Sequence, residues 1–147
     1  MKPRAEIYRN SSGFIIHSYG ETTTGLYIAI KPFIHIPSET NPLEIKKSIE
    51  IAFDSFKVNI PHPKQNEWTH RQKEYLKNMK FKSLRELHLL CSTCGIDEIG
   101  DNWIFHPNIK GPGKSFVESD KGDVTISKLS TPEEILFAVN EAFSRCV

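Results

Sequence analysis

Long hydrophobic runs are missing from this sequence of 147 residues. No window approaches the roughly 18 consecutive apolar residues that a membrane-spanning helix needs, and Met1 to Gly13 lack the apolar core of a signal peptide. Cysteine is also scarce: the chain has three, an odd number, whereas secreted proteins stabilised by disulfides more often have an even set. Both absences favour a protein that stays in the reducing cytoplasm where it is made and that contacts no membrane.

An excess of charge of either sign is absent too. The chain has 19 Lys/Arg and 18 Asp/Glu, and a net charge of +1 by itself points to neither nucleic acid nor an anionic membrane. The charges are nevertheless unevenly distributed, because residues 95–123 carry six acidic side chains and three lysines while residues 1–94 are basic. This acidic segment is also the part of the chain richest in loop-forming residues.

The sequence contains only incomplete versions of the motifs that bind metals or phosphate or that form catalytic sites. Cys91-Ser-Thr-Cys94 has no second CxxC to complete a zinc site, and it follows a helical pattern instead of beginning one as a redox dithiol does. Gly111-Pro-Gly-Lys-Ser115 lacks the first glycine of a phosphate loop. None of the six histidines joins a recognised catalytic order. We therefore expect no catalytic residue, metal or cofactor, with a thiol or zinc enzyme built on Cys91 and Cys94 as the alternative.

The apolar pattern predicts both strands and helices. Six segments have the β-branched and aromatic residues of strands: Ala5–Asn10, Gly13–Tyr19, Leu26–Ile36 with Pro32 as a bulge or edge position, Cys91–Ile99, Asn102–Ile109 and Asp123–Leu129. Residues 66–90 are helical with a break near Lys80–Lys82, and Ser83 and Glu86 can cap the second helix. Three segments are predicted to be irregular: Asn59–Gln65, Lys110–Ser115 and Phe116–Gly122.

Two further helices begin with the same signals. Asn41 precedes Pro42 and Glu44, and Thr131, Pro132 and Glu134 repeat that arrangement 90 positions later. The apolar positions that follow have the same offsets in both helices: Ile45, Ile49, Ala52, Phe53 and Phe56 in the first, and Ile135, Val139, Ala142, Phe143 and Cys146 in the second.

The strands before these helices also correspond, Phe14–His17 with Trp103–His106 and Ile34–Ile36 with Val124–Ile126. The pattern indicates either a duplicated strand–strand–helix unit with a helical insertion near residues 60–90, or two helices that share common capping residues. Either way, we predict one α+β domain over residues 1–147, with helices packed on a mostly antiparallel sheet.

The basic region from Lys64 to Arg85 supports a second hypothesis. Its seven Lys/Arg side chains are interleaved with Trp68, Tyr75 and Phe81, a composition that can bind single-stranded nucleic acid through phosphate contacts and base stacking. Glu67, Glu74 and Glu86 dilute the charge, and helical spacing can turn the aromatic side chains into a core. A small nucleic-acid-binding module therefore remains the alternative to a protein-binding role.

The C-terminal half of the chain contains a series of motifs whose order is informative. They are Tyr75-Leu76, Phe81–Leu87, Cys91-Ser92, Trp103–Pro107, Asp123–Ile126, Thr131–Ile135 and Ala142–Cys146. The most specific is the last, a capped Pro-Glu-Glu-Ile helix that ends in Ala-Phe-Ser-Arg-Cys. In this series the chain resembles the immunity proteins of contact-dependent growth inhibition systems. The resemblance covers residues 65–147, and before residue 65 it rests only on the order of the strands and on the helix from Ile45 to Phe56.

The resemblance implies a small cytosolic protein that protects a bacterium by binding the toxic C-terminal domain delivered by neighbouring sibling cells. Such toxins are often nucleases, many of them RNases, and inhibitors of nucleases commonly set carboxylates against the basic groove that receives phosphate. The acidic segment supplies carboxylates of this kind, although it can equally be an ordinary solvated loop. The residues we predict to contact the toxin are Asp97, Glu98, Asp101, Trp103, Glu118 and Asp120.

Overall fold

The first part of the chain forms strands and one helix in close succession. In the computed structural model, which describes residues 2–147, these elements are β1 (Arg4–Asn10), β2 (Gly13–Thr22), β3 (Tyr27–Pro37), α1 (Pro42–Asp54) and β4 (Lys57–Ile60). The helical region that follows begins with a short 3₁₀ turn at Gln65–Glu67 and contains α2 (Trp68–Met79) and α3 (Leu84–Leu90).

The last part repeats the first. Its elements are β5 (Ser92–Ile99), β6 (Asn102–Lys110), β7 (Phe116–Glu118), β8 (Val124–Ser127) and α4 (Pro132–Ser144). The eight strands form one sheet in the order β3-β2-β1-β5-β6-β7, in which β8 also pairs with β6. All pairs are antiparallel except the short parallel pair of β4 with β2. The predicted α+β class with a mostly antiparallel sheet is therefore confirmed.

The two halves have matching strand registers. β1 and β5 lie side by side at the centre, where Ala5 pairs with Ile96 and Ile7 with Cys94, so exchanging the halves reproduces the pairing. Outward from this centre, all six β1–β2 pairs and the four β2–β3 pairs nearest Gly13 have equivalents 89 or 90 positions later, for example Ala5–Ser18 with Cys94–Pro107, and Phe14–Ile36 with Trp103–Ile126. The predicted repeat is thus present as a pseudo-twofold arrangement, with a third strand in each unit.

The matching helices form and pack in the predicted way. Asn41 Oδ1 accepts a hydrogen bond from Glu44 N at 3.1 Å, and Thr131 Oγ1 accepts one from Glu134 N at 3.2 Å. In α4, Glu134 also accepts from the backbone N–H of Thr131, which completes the capping box. α1 and α4 lie next to each other on one face of the sheet, and each buries the first four of its five predicted apolar positions. The fifth positions, Phe56 and Cys146, lie beyond the helix ends, and Phe56 is only half-buried.

Helices cover the two faces of the sheet with different cores. One face packs against α1 and α4, in a core that we call the α1/α4 core and that includes Ile7, Ile16, Phe105, Ile49 and Phe143. The opposite face packs against the insertion, in the α2/α3 core of Tyr8, Ile15, Met79, Leu87 and Cys91. The insertion therefore covers apolar side chains that a simple two-layer fold would leave exposed.

Several boundaries differ from the sequence-based expectations. Two short strands enter the segments predicted to be irregular: β4 begins at Lys57 and extends to Ile60, two residues into Asn59–Gln65, and β7 begins at Phe116. β6 extends one residue beyond the predicted strand Asn102–Ile109, and His106 lies inside it. The break in the helical region is where it was predicted: Lys80 has a left-handed backbone with φ of 64°, and the Ser83 side chain caps α3.

Candidate functional site

The structure does not bring the six predicted contact residues onto one surface. Asp101, Glu118 and Asp120 are exposed, and Glu98 is partly exposed. Asp97 and Trp103 are each only 1% exposed. Buried side chains cannot serve as surface contacts in this conformation, so the contact role predicted for Asp97 and Trp103 is replaced by a structural one.

Trp103 packs in the α1/α4 core. Its ring centroid lies 5.7 Å from that of Phe53, and its indole N–H donates a hydrogen bond to Glu98 Oε1 at 3.1 Å. The same oxygen lies 3.5 Å from Lys128 Nζ. A buried indole needs an acceptor for its N–H, and Glu98 provides it. Glu98 is therefore already engaged within the chain.

Asp97 is the centre of a polar network on the opposite face of the sheet. Arg4 Nε donates to Asp97 Oδ1 at 2.9 Å, while His106 Nε2 lies 2.8 Å and Lys2 Nζ 3.3 Å from Oδ2. Burial by itself would raise the pKa of Asp97, but hydrogen bonds from His106 and Arg4 outweigh it and hold the pKa well below its ordinary value. Asp97 is thus an ionised, buried carboxylate with cationic partners.

His106 connects this network to the acidic segment. Its Nδ1 atom lies 3.1 Å from Asp123 Oδ2, while its Nε2 atom faces Asp97. The hydrogen bond to Asp97 raises the pKa of His106, Asp123 adds to the effect, and burial opposes it. Glu118 also reaches this position, since one ligand atom from each of His106, Glu118 and Asp123 lies within 4.8 Å of the others.

Sequence reasoning missed this cluster because its members come from separate strands. The alternation of β6 was the available signal: Trp103 and Phe105 point into the α1/α4 core, so His106 points to the other face. The register then places His106 opposite Gly95, two residues from Asp97 on the same face of β5. That register could not be read from the sequence, because it depends on the pairing of the strands.

Comparisons with solved structures match the whole chain. A protein of unknown function from Neisseria meningitidis superposes with a TM-score of 0.79 at 18% identity, over 100% of this chain and 96% of that chain. The CdiA-CT/CdiI toxin and immunity complex from Yersinia pseudotuberculosis gives a TM-score of 0.70 at 15% identity, over 100% of this chain and 98% of the matched chain. These similarities show the fold. No protein-family model and no curated protein matches the sequence.

The CxxC pair is divided between the two cores. Cys91 belongs to the α2/α3 core and Cys94 to the α1/α4 core, so their thiols lie on opposite faces of the sheet and cannot bind one metal. Cys94 Sγ lies instead 3.6 Å from Cys146 Sγ. The hydrogen bond with Cys146 and burial both raise the pKa of the Cys94 thiol. The alternative of a thiol or zinc site at Cys91 and Cys94 therefore has no geometric support.

In the basic helical region several cations are exposed, while Trp68, Tyr75 and Phe81 are each half-buried. Lys73, Lys77 and Lys82 are exposed, whereas Tyr75 and Phe81 pack against the α2/α3 core. The Tyr75 hydroxyl also hydrogen-bonds that of Tyr8 at 2.8 Å. Stacking with bases needs an accessible ring face, so the packing of Tyr75 and Phe81 favours the interpretation as solvated helix faces. Trp68 is not part of that core and lines a cleft beside α2.

A large cleft lies between the edge strand β3 and α2. It has a volume of about 860 Å³ and is lined by Tyr27, Phe33, Trp68 and Tyr75 together with side chains of both charges, including Lys31, Glu67, Arg71 and Glu74. Because the charges are mixed, the cleft favours neither an anionic nor a cationic ligand.

None of the helices in the described residues 2–147 is long and apolar enough to cross a membrane.

Proposed function

We propose that this chain is a cytoplasmic immunity protein that binds and neutralises the toxic C-terminal domain of a contact-dependent growth inhibition effector. The observation that carries the proposal is the likeness, at a TM-score of 0.70, to a chain of a toxin and immunity complex over nearly the full length of both chains. The motifs between Tyr75 and Cys146 resemble the immunity component of such systems. Fold and sequence resemblance therefore support the same role.

Neutralisation would proceed by binding and involve no turnover. The polar groups around the buried Asp97 are engaged with one another, because Arg4 and His106 both hydrogen-bond its carboxylate. Trp103 and Phe143 are likewise committed to the core. A rigid scaffold of this kind suits a stoichiometric inhibitor, because ordered surfaces lose little conformational freedom on binding.

The exposed carboxylates of the acidic segment are the proposed contacts with a basic toxin, for which we expect a nuclease such as an RNase. Asp101 precedes β6, and Glu118 pairs with Asn108 near the other end of that strand, so they are roughly 20 Å apart at the rise of a strand. A standard interface covers about 800 Å² on each partner, which is wide enough to include both.

The test first looks beside the gene of this chain for a contact-dependent growth inhibition effector. The toxic C-terminal domain of that effector is then purified and mixed with the parent protein or with the double variant Asp101→Lys/Asp120→Lys. We expect the parent to form a 1:1 complex and abolish toxicity. The double variant should associate at least tenfold more slowly at low salt, since opposite charges speed encounter. The matched control, Glu39→Lys/Glu50→Lys, reverses the charge of two exposed carboxylates that lie outside the acidic segment.

The possible outcomes distinguish the immunity function from the location of the toxin-binding surface. If the parent forms no complex and gives no protection, the immunity function is wrong. If the parent protects and the acidic variant binds as fast as the parent, the function stands and the contact surface lies elsewhere.

A further inference from the structure

The residues around His106 have the composition of a metal site. His106 lies in β6, Glu118 ends β7 and Asp123 comes directly before β8, and each offers one ligand atom within 4.8 Å of the other two. One imidazole and two carboxylates are ligands that divalent transition metals and zinc accept. With a neutral imidazole, the two carboxylates would also balance the charge of a divalent cation.

The backbone that carries these ligands is held in place by hydrogen bonds. Ser119 N donates to Pro107 O at 2.9 Å, which fixes Glu118 beside β6. Arg145 Nη1 donates to the carbonyl oxygens of Gly122 at 3.2 Å and Asp123 at 2.8 Å, so the C-terminal end of α4 anchors the turn. A metal would therefore meet ligands on ordered segments, with little backbone left to order on binding.

Asp97 provides an independent indication. It is 1% exposed, and it accepts a hydrogen bond from His106 Nε2 at 2.8 Å while Arg4 keeps it ionised. Histidines that ligate metals almost always donate their other ring N–H to a carboxylate or carbonyl, which fixes the tautomer and the ring orientation. Here the fixed orientation turns Nδ1 toward Asp123 and Glu118.

We propose that His106 Nδ1, Glu118 and Asp123 bind a divalent cation of the zinc class, with Asp97 as the positioning residue behind the imidazole. Three protein ligands leave coordination positions open to water or to a group from another molecule. The bound ion would join β6, β7 and the turn before β8. This site does not depend on the proposed immunity function.

The test titrates Zn²⁺ into the full-length protein by calorimetry. We expect one zinc per chain, and affinity at least tenfold weaker in Glu118→Gln and in Asp123→Asn. Both side chains are exposed, so these variants should fold, which circular dichroism checks. The matched controls are Asp120→Asn, a neighbouring exposed carboxylate, and His70→Gln, an exposed histidine, and both should bind zinc like the parent.

A second measurement reads the metal contact directly. The ¹⁵N signals of the His106 ring should show zinc at Nδ1 and a retained proton at Nε2. The proposal is overturned if the parent binds no zinc at 100-fold excess over protein, or if Glu118→Gln and Asp123→Asn bind as tightly as the parent. It is also overturned if Ca²⁺ binds as tightly as Zn²⁺, because calcium prefers oxygen ligands and would not need the imidazole.

Discussion

His17 is a buried histidine among aromatic rings, and its protonation should control acid stability. Its ring lies 5.8 Å from Tyr8, 5.0 Å from Tyr19, 5.2 Å from Phe33 and 6.0 Å from Tyr75, measured between centroids. Burial lowers the pKa of His17 to about 4, although the hydrogen bond between Nδ1 and the Ser18 carbonyl oxygen opposes the shift. The folded protein therefore holds this histidine neutral where the unfolded chain protonates it.

The sign of the effect follows from this depressed pKa. The contribution of His17 is fully present above the unfolded pKa of 6.5 and is lost as the pH falls toward about 4. Over that interval the parent should lose about 3 kcal/mol of unfolding free energy through this group. In His17→Phe the loss should shrink by most of that amount, as measured by urea unfolding between pH 7 and pH 4.

The exposed His70→Gln variant is the control and should keep the acid sensitivity of the parent. If His17→Phe and the parent lose stability in parallel as the pH falls, His17 does not carry the effect.

The candidate site could be predicted from the sequence only in part, for reasons visible at single residues. The exposure of Asp101 and Asp120 agrees with what a loop-rich acidic segment predicts, and their role as toxin contacts stays a prediction. Trp103 was wrongly predicted to be a surface contact, because the prediction rested on the acidic, loop-rich composition around it. Trp103 and Phe105 are two residues apart in β6, and this alternation assigns both side chains to the core face. Asp97 could not be recognised as buried, because its partners Arg4 and His106 come from other strands.

At the scale of elements, the two matching helices should depend equally on their caps. Asn41 and Thr131 each satisfy one backbone N–H that otherwise has no intrahelical partner. Asn41→Ala and Thr131→Ala should therefore each reduce the unfolding free energy by about 1 kcal/mol. Chemical denaturation measures both, and Thr23→Ala, at an exposed turn position, serves as the control.

If only one of the two variants lost unfolding free energy, the two units would not be energetically equivalent. That result would mean that the pseudo-twofold arrangement is one of backbone geometry only.

Elements with strong local signals were predicted well, and elements that depend on distant partners were not. α1 and α4 have a cap, a proline in the first turn and a full apolar face, so the chain itself defines them. β4 has four residues and pairs with β2 at Gly20–Lys57 and Thr22–Ile60, and β7 has three residues. Strands this short carry no periodicity that a sequence pattern could detect.

The whole molecule is organised around the pairing of β1 with β5. These two strands lie at the centre of the sheet and are flanked on both sides by longer strands. Their side chains enter both cores, because Ala5 and Cys94 face α1 and α4 while Tyr8 faces the insertion. The halves of the chain therefore meet in one shared sheet, and separating them would break the α1/α4 core, to which both halves contribute.

This central position predicts the order in which the molecule opens. Amides that need global unfolding exchange slowest, and segments at the periphery exchange through local opening. We expect the slowest exchange in β1 and β5, and faster exchange in the short outer strand β7 and in α2, most of whose residues are exposed or half-buried. Native-state hydrogen exchange followed by mass spectrometry measures these rates in one experiment. Protection of α2 equal to that of β1 would contradict the expected order, because it would make the insertion part of the same cooperative unit as the central strands.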